Sequence, residues 1–215
     1  MCIRDSNYDI RNAPSGAEQD IKEAMNAWNT VPGSTALMVD AGAAACCDDG
    51  VNCNCTDGLN TISWVVKKWP WDPDMLAATY LEQWDDATGA VYETDMVVNA
   101  QHHDWSVGGA PGPKQFDLLS VLVHEMGHFL MFADIYDPGD PSCFRFSHST
   151  MFGIISPGST YPRTLDQDDI DGLHFMYPET EADLPPPFVT GFIDPQEVFP
   201  RDKLIRTEGD IVTGV

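Results

Sequence analysis

The sequence predicts an α+β fold, and three observations lead to it. An apolar stripe at helical spacing comes early, and several short runs rich in β-branched and aromatic residues follow. A long apolar helix pattern lies after those runs rather than between them. At 215 residues with 43% hydrophobic content, the chain is long and apolar enough for one well-buried domain.

The first element is a helix from Ala17 to Thr30. Ile21, Ala24, Met25 and Trp28 fall at i, i+3, i+4 and i+7 and make one apolar face, and Pro32-Gly33 stops it. Ala36 to Val39 reads as a strand, Asn60 to Val66 as a second, and Leu76 to Glu82 as a third. The turn Asp85-Asp86-Ala87-Thr88-Gly89 leads into the alternating run Val91 to Ala100. A long helix is expected from Phe116 to Leu130, and a last one from Gln167 to Met176 with Asp168 and Asp169 in its first turn. Residues 1–13 read as an unassigned flank with an arbitrary start, 14–178 as the domain, and 179–215 as a Pro-rich acidic linker opening a truncated C-terminal region.

Charge and cysteine content narrow the setting. A net charge of -23 repels nucleic acid and anionic membranes, and no basic patch opposes it. No run of about 18 apolar residues exists to span a bilayer. Met1 to Ser6 has no apolar core of a signal peptide. Four of six cysteines crowd into Cys46, Cys47, Cys53 and Cys55, and the expected state is disulfides within a surface loop, with Cys143 either joining them or staying reduced. Structural zinc on those thiolates is the weaker reading, because the usual Cys-x-x-Cys spacing is missing. An extracellular, secreted, monomeric protein is expected. Calcium is a second expected ion, read from Asp48, Asp49, Asp57, Asp85, Asp86, Asp137 and Asp140, although no EF-hand spacing supplies a ligand set.

The chemistry is concentrated in Val123-His124-Glu125-Met126-Gly127-His128. Histidines four apart lie on one helical face, so both imidazoles reach one ion, and Glu125 between them can take a proton from metal-bound water. Asp134 stands six residues beyond His128. On a continuing helix it would rise roughly 9 Å and leave the metal face. It can be a third ligand only if the helix breaks near Met131. Asp137 is the fallback.

Downstream, Ser149-Thr150-Met151-Phe152-Gly153 places a methionine in a turn, and Leu165 to Tyr177 carries Asp168-Asp169-Ile170-Asp171-Gly172. Together with Trp28 and the run Tyr92 to Asn99, these segments resemble the metzincin zinc endopeptidases, in their matrixin-like branch, over residues 17 to 178. The resemblance implies a twisted mixed sheet of about five strands, three main helices, and a cleft beneath an edge strand. It implies catalytic zinc on His124, His128 and Asp134, Glu125 as general base and acid, and Met151 as the Met-turn residue. It implies that Asp95, Val97 and Asn99 lie on the edge strand that binds extended peptide, and that Tyr161 lines the pocket in the Ile155 to Pro162 loop. The family's glycine and third histidine are replaced here by Met131 and Asp134. A left-handed turn at Met131 costs about 1–2 kcal/mol, and a carboxylate is a competent zinc ligand.

The expected partner is thus a protein or peptide substrate. Two other readings compete: a metzincin-fold relative that binds protein without cutting it, and a zinc hydrolase whose third ligand is Glu179 or Glu181. His102 and His103 read as loop histidines rather than a second metal site, and His148 and His174 as structural. The family's thiol-bearing latency segment is not among these residues.

Overall fold

The computed structural model describes residues 3–43, 57–84, 91–135, 141–180 and 211–213. The cysteine loop with Cys46, Cys47, Cys53 and Cys55, the acidic positions Asp48, Asp49, Asp85, Asp86, Asp137 and Asp140, and Glu181 lie outside the described residues. Cys143 is buried within a 3-10 segment, Pro141–Phe146.

The chain is α+β, with a mixed sheet of five principal strands and three α-helices. In chain order these are β1 (Ile3–Tyr8), α1 (Ala17–Asn29), β2 (Met38–Ala43), β3 (Asn60–Val65), β4 (Met75–Trp84) and β5 (Val91–Asn99). Two-residue strands β6 (Trp105–Ser106) and β7 (Phe116–Asp117) precede α2 (Leu118–Phe129), and β8 (Ile154–Ile155), α3 (Gln167–Met176) and β9 (Ile211–Thr213) complete the set. The principal strands lie in the order β2-β1-β3-β5-β4. Neighbours are parallel except β4, which runs antiparallel to β5.

Two expectations are corrected by this topology. The N-terminal flank is part of the sheet: β1 pairs with both β2 and β3. Its run Ser6-Asn7-Tyr8 is buried although polar, so it carries no apolar signal in the sequence. The second correction concerns Asp95, Val97 and Asn99. They are on β5, which is flanked by β3 and β4 and is therefore interior; of the five principal strands, β2 and β4 are the outer ones, and beyond β4 the sheet continues with β9 and β8. The polar residues of β5 are satisfied within the fold. Glu93 accepts hydrogen bonds from the Asp57 and Gly58 N–H groups, Asp95 accepts from Thr61 N–H, and Asn99 donates to the Met75 carbonyl. Val97 packs with Val65, Trp69, Met75 and Ala78 on the sheet face away from the helices.

The main core lies between the sheet and the helices. The α1 stripe is buried as its spacing requires, with Ile21, Ala24 and Trp28 at 0% exposure, and α2 is buried along its whole length. A fully buried aliphatic side chain of this kind contributes about 1.5–3 kcal/mol. Trp28 also donates its indole N–H to the Val123 carbonyl at 2.8 Å, fixing the two helices at the residue before His124. The start of α2 is held by Asp117, which caps Ser120 N–H and pairs with Arg163. No helix among the described residues is long and apolar enough to cross a membrane.

Candidate metal centre

α2 delivers the two histidines and then ends where the third ligand needs it to. Leu130 is the C-cap, and Met131 follows with φ 68°, in the left-handed region. Met131 N–H bonds to the His128 carbonyl and Phe132 N–H to the Gly127 carbonyl. These are the two bonds of a Schellman motif, a helix end that ordinarily takes glycine at the left-handed position. A side chain stands there instead, and the fold imposes the turn anyway. The chain then reverses toward the helix face, and Ile135 N–H bonds to the Met151 carbonyl, fixing the far end of the turn.

The result brings His124, His128 and Asp134 together, with one ligand atom from each within 4.8 Å of the others. The two Nε2 atoms are 3.2 Å apart, and Asp134 Oδ1 lies 3.1 Å from His124 Nε2 and 3.8 Å from His128 Nε2. A tetrahedral zinc with bonds of about 2.0–2.1 Å separates its ligand atoms by about 3.3–3.4 Å, so the three sides bracket what that ion requires. Both rings are oriented from behind. His124 Nδ1 meets the Thr150 carbonyl and His128 Nδ1 the Phe132 carbonyl, each at 2.7 Å. A carbonyl accepts the Nδ1–H hydrogen bond, which keeps that proton on Nδ1 and leaves the Nε2 lone pair to face a metal. The residues fit a zinc ion.

The electrostatics agree with a site built for a cation. Burial opposes a charged imidazolium on both rings. On His124 the Asp134 carboxylate overrides burial by hydrogen bond and charge, and the pKa is pushed up to about 9. On His128 burial dominates and the pKa is lowered. A cation bound by these residues would take the place of the His124 proton beside Asp134.

Met151 lies 1% exposed beneath α2, in the turn expected of it. That turn is held by Asp169 of α3. Its buried carboxylate accepts from Ser149 Oγ, Thr150 N–H, Met151 N–H and Asp166 N–H, which fills all four acceptor positions of a carboxylate. The carbonyl that orients His124 belongs to Thr150, in the middle of this network.

Glu125 is fully buried, and its Oε2 accepts from Thr79 Oγ1 on β4 at 2.6 Å. Tyr161 is half-buried and donates its hydroxyl to the Ile154 carbonyl, which closes the loop after Met151. Glu179 is exposed and its N–H bonds to the Gly33 carbonyl, away from the ligand group. His103 stacks on Phe116, His102 contacts Gln101, and His174 meets the Pro32 carbonyl. Among the described residues, His124, His128 and Asp134 are the one group of three or more His, Cys, Asp or Glu side chains placed to hold an ion.

Sequence reasoning missed Thr79 and the anchoring role of Asp169. Asp169 has a local signal, since Asp166 and Asp169 form a capping box at the start of α3. Thr79 has none, because its partner is brought to it only by the packing of β4 on α2.

Compared with known proteins, the chain matches no family model and no curated protein sequence.

Proposed function

We propose that this protein is a secreted zinc-dependent endopeptidase of metzincin type. The observation that carries this reading is the return of the chain at Met131, which sets Asp134 beside two histidines already oriented through their Nδ1 atoms.

His124, His128 and Asp134 would hold the ion. Bound zinc supplies a water acidified to near neutral pH and polarisation of the scissile carbonyl. Glu125 adjoins His124 on the helix and is turned toward β4; it takes the water proton and passes it to the leaving amine. The backbones of β4 and β8 would accept extended peptide in the place that β9 holds here. In support, β9 lies there, antiparallel to β4 at Met75 and Ala77 and parallel to β8 at Ile154 and Ile155. A substrate strand added in the same way gains affinity from main-chain hydrogen bonds. This moves the substrate-binding role from β5, with Asp95, Val97 and Asn99, to β4.

The rival reading, a relative that binds without cutting, was motivated by Met131 and Asp134. Both substitutions fit a complete ligand set, and the base is present and held. The test is digestion of an unfolded protein substrate with chelator and then zinc add-back. Cleavage lost to chelator and restored by zinc supports the proposal, as does Glu125→Gln binding zinc while losing cleavage by about 10²–10⁴-fold. No cleavage by folded, zinc-loaded protein overturns it.

A further inference from the structure

We propose that Thr79 is a positioning residue for Glu125, a role that rests on the peptidase reading above. Glu125 sits on a helix buried along its length, and a carboxylate in such surroundings needs a donor to hold its charge. Thr79 is the donor. Its hydroxyl lies 2.6 Å from Glu125 Oε2, in the range of a charge-assisted O–H···O bond. Thr79 is 4% exposed and sits opposite Met96 in the β4–β5 ladder, so its backbone cannot drift. A β-branched side chain has few χ1 options, which fixes the hydroxyl as firmly as the strand.

The consequence is geometric. A general base works only within about 2.6–3.2 Å of its proton, and a misplacement of about 1 Å can cost about 10²-fold. The strand proposed to bind peptide therefore also sets the position of the base. Substrate and base are registered on the same element: the β4 backbone addresses the peptide, and one of its side chains addresses Glu125.

The test uses the full chain, with Thr79→Val, which keeps the shape and removes the hydroxyl, and Thr79→Ser, which keeps the hydroxyl. Expected are a fall in kcat of about 10–100-fold for T79V, the range for partners that orient a metal site, with KM and zinc affinity unchanged, and recovery to within about threefold of wild type for T79S. Independently of activity, the Tm of the metal-free protein should show coupling between T79V and Glu125→Gln in a double-mutant cycle. Wild-type cleavage with T79V and T79S equal, or T79V acting through KM or zinc affinity, overturns the positioning role and leaves the peptidase reading intact. Additive Tm shifts in the cycle overturn it as well. If zinc-loaded wild type does not cleave, the peptidase reading fails, and this role fails with it.

Discussion

Met151 lies directly under Gly127, so closely that a methyl group on Gly127 would collide with its Sδ, and the same methyl would come within 2.9 Å of Trp28 Cζ2. The helix carrying both histidines thus rests on the methionine at its one residue without a side chain. Gly127→Ala should destabilise the protein by about 1–3 kcal/mol through overpacking, despite alanine's better helix propensity. It should also weaken zinc binding, because Trp28 and Met151 flank the turn between His124 and His128. Urea denaturation and zinc titration check both, and an alanine variant as stable as wild type would show that the contact yields.

Met131 holds a left-handed conformation that costs a residue with a Cβ about 1–2 kcal/mol. Met131→Gly should therefore stabilise the chain by about 1 kcal/mol, read as a rise in the urea midpoint at constant m. A loss of stability would mean that the half-buried methionine side chain outweighs the strain.

Asp134 completes the ligand set only through that turn. Asp134→Ala should lower zinc affinity by about 100-fold or more, beyond the effect of losing an outer partner. Asp137→Ala should leave affinity near wild type, and Asp134→His should restore it. Competition with a zinc-sensitive chelating dye gives the order, and a larger loss from Asp137→Ala would reassign the ligand.

Asp95 carries a pH signature of its own. Burial pushes its carboxyl up to about 8, against the Thr61 N–H that favours the charged form, and the nearby Glu93, Glu82 and Asp57 push it the same way as burial. Its unfolded value is about 3.9. Between those values the folded chain binds the extra proton, so this group makes stability fall as pH rises from about 4 through about 8. Asp95→Asn keeps an acceptor for Thr61 and should flatten that fall. Parallel stability–pH profiles for the two proteins would refute the assignment.

What could be read in the sequence follows the range of the interactions. α1 and α3 were legible because an apolar period and a first-turn acidic pair are local signals, and α2 because its histidine spacing is. The Met131 break was legible as a requirement: Asp134 could not reach the histidines otherwise. β1 was not, since Ser6 and Asn7 are buried through strand pairing that no nearby residue announces. The edge placement of Asp95, Val97 and Asn99 rested on the family resemblance alone, and their interior position is set by long-range pairing of β5 with β3 and β4. Thr79 was invisible for a related reason, its carboxylate partner being 46 residues away.

The Schellman turn has a consequence for metal linkage. All three ligands come from one helical turn and the residues just after it, so chelating them closes only short loops, at little entropic cost. An unfolded chain can therefore approximate the same triad. A metal ion held by these residues would then bind the denatured ensemble to some degree as well as the native state, and saturating metal would raise Tm by less than the native affinity alone would give. What the native state adds is the left-handed turn at Met131, the Ile135 N–H bond to the Met151 carbonyl and the carbonyls of Thr150 and Phe132 that orient the two rings; of these, the Met151 and Thr150 contacts depend on distant folding. The gap between the two affinities thus reports how much of the site belongs to the tertiary structure and how much to the helix end.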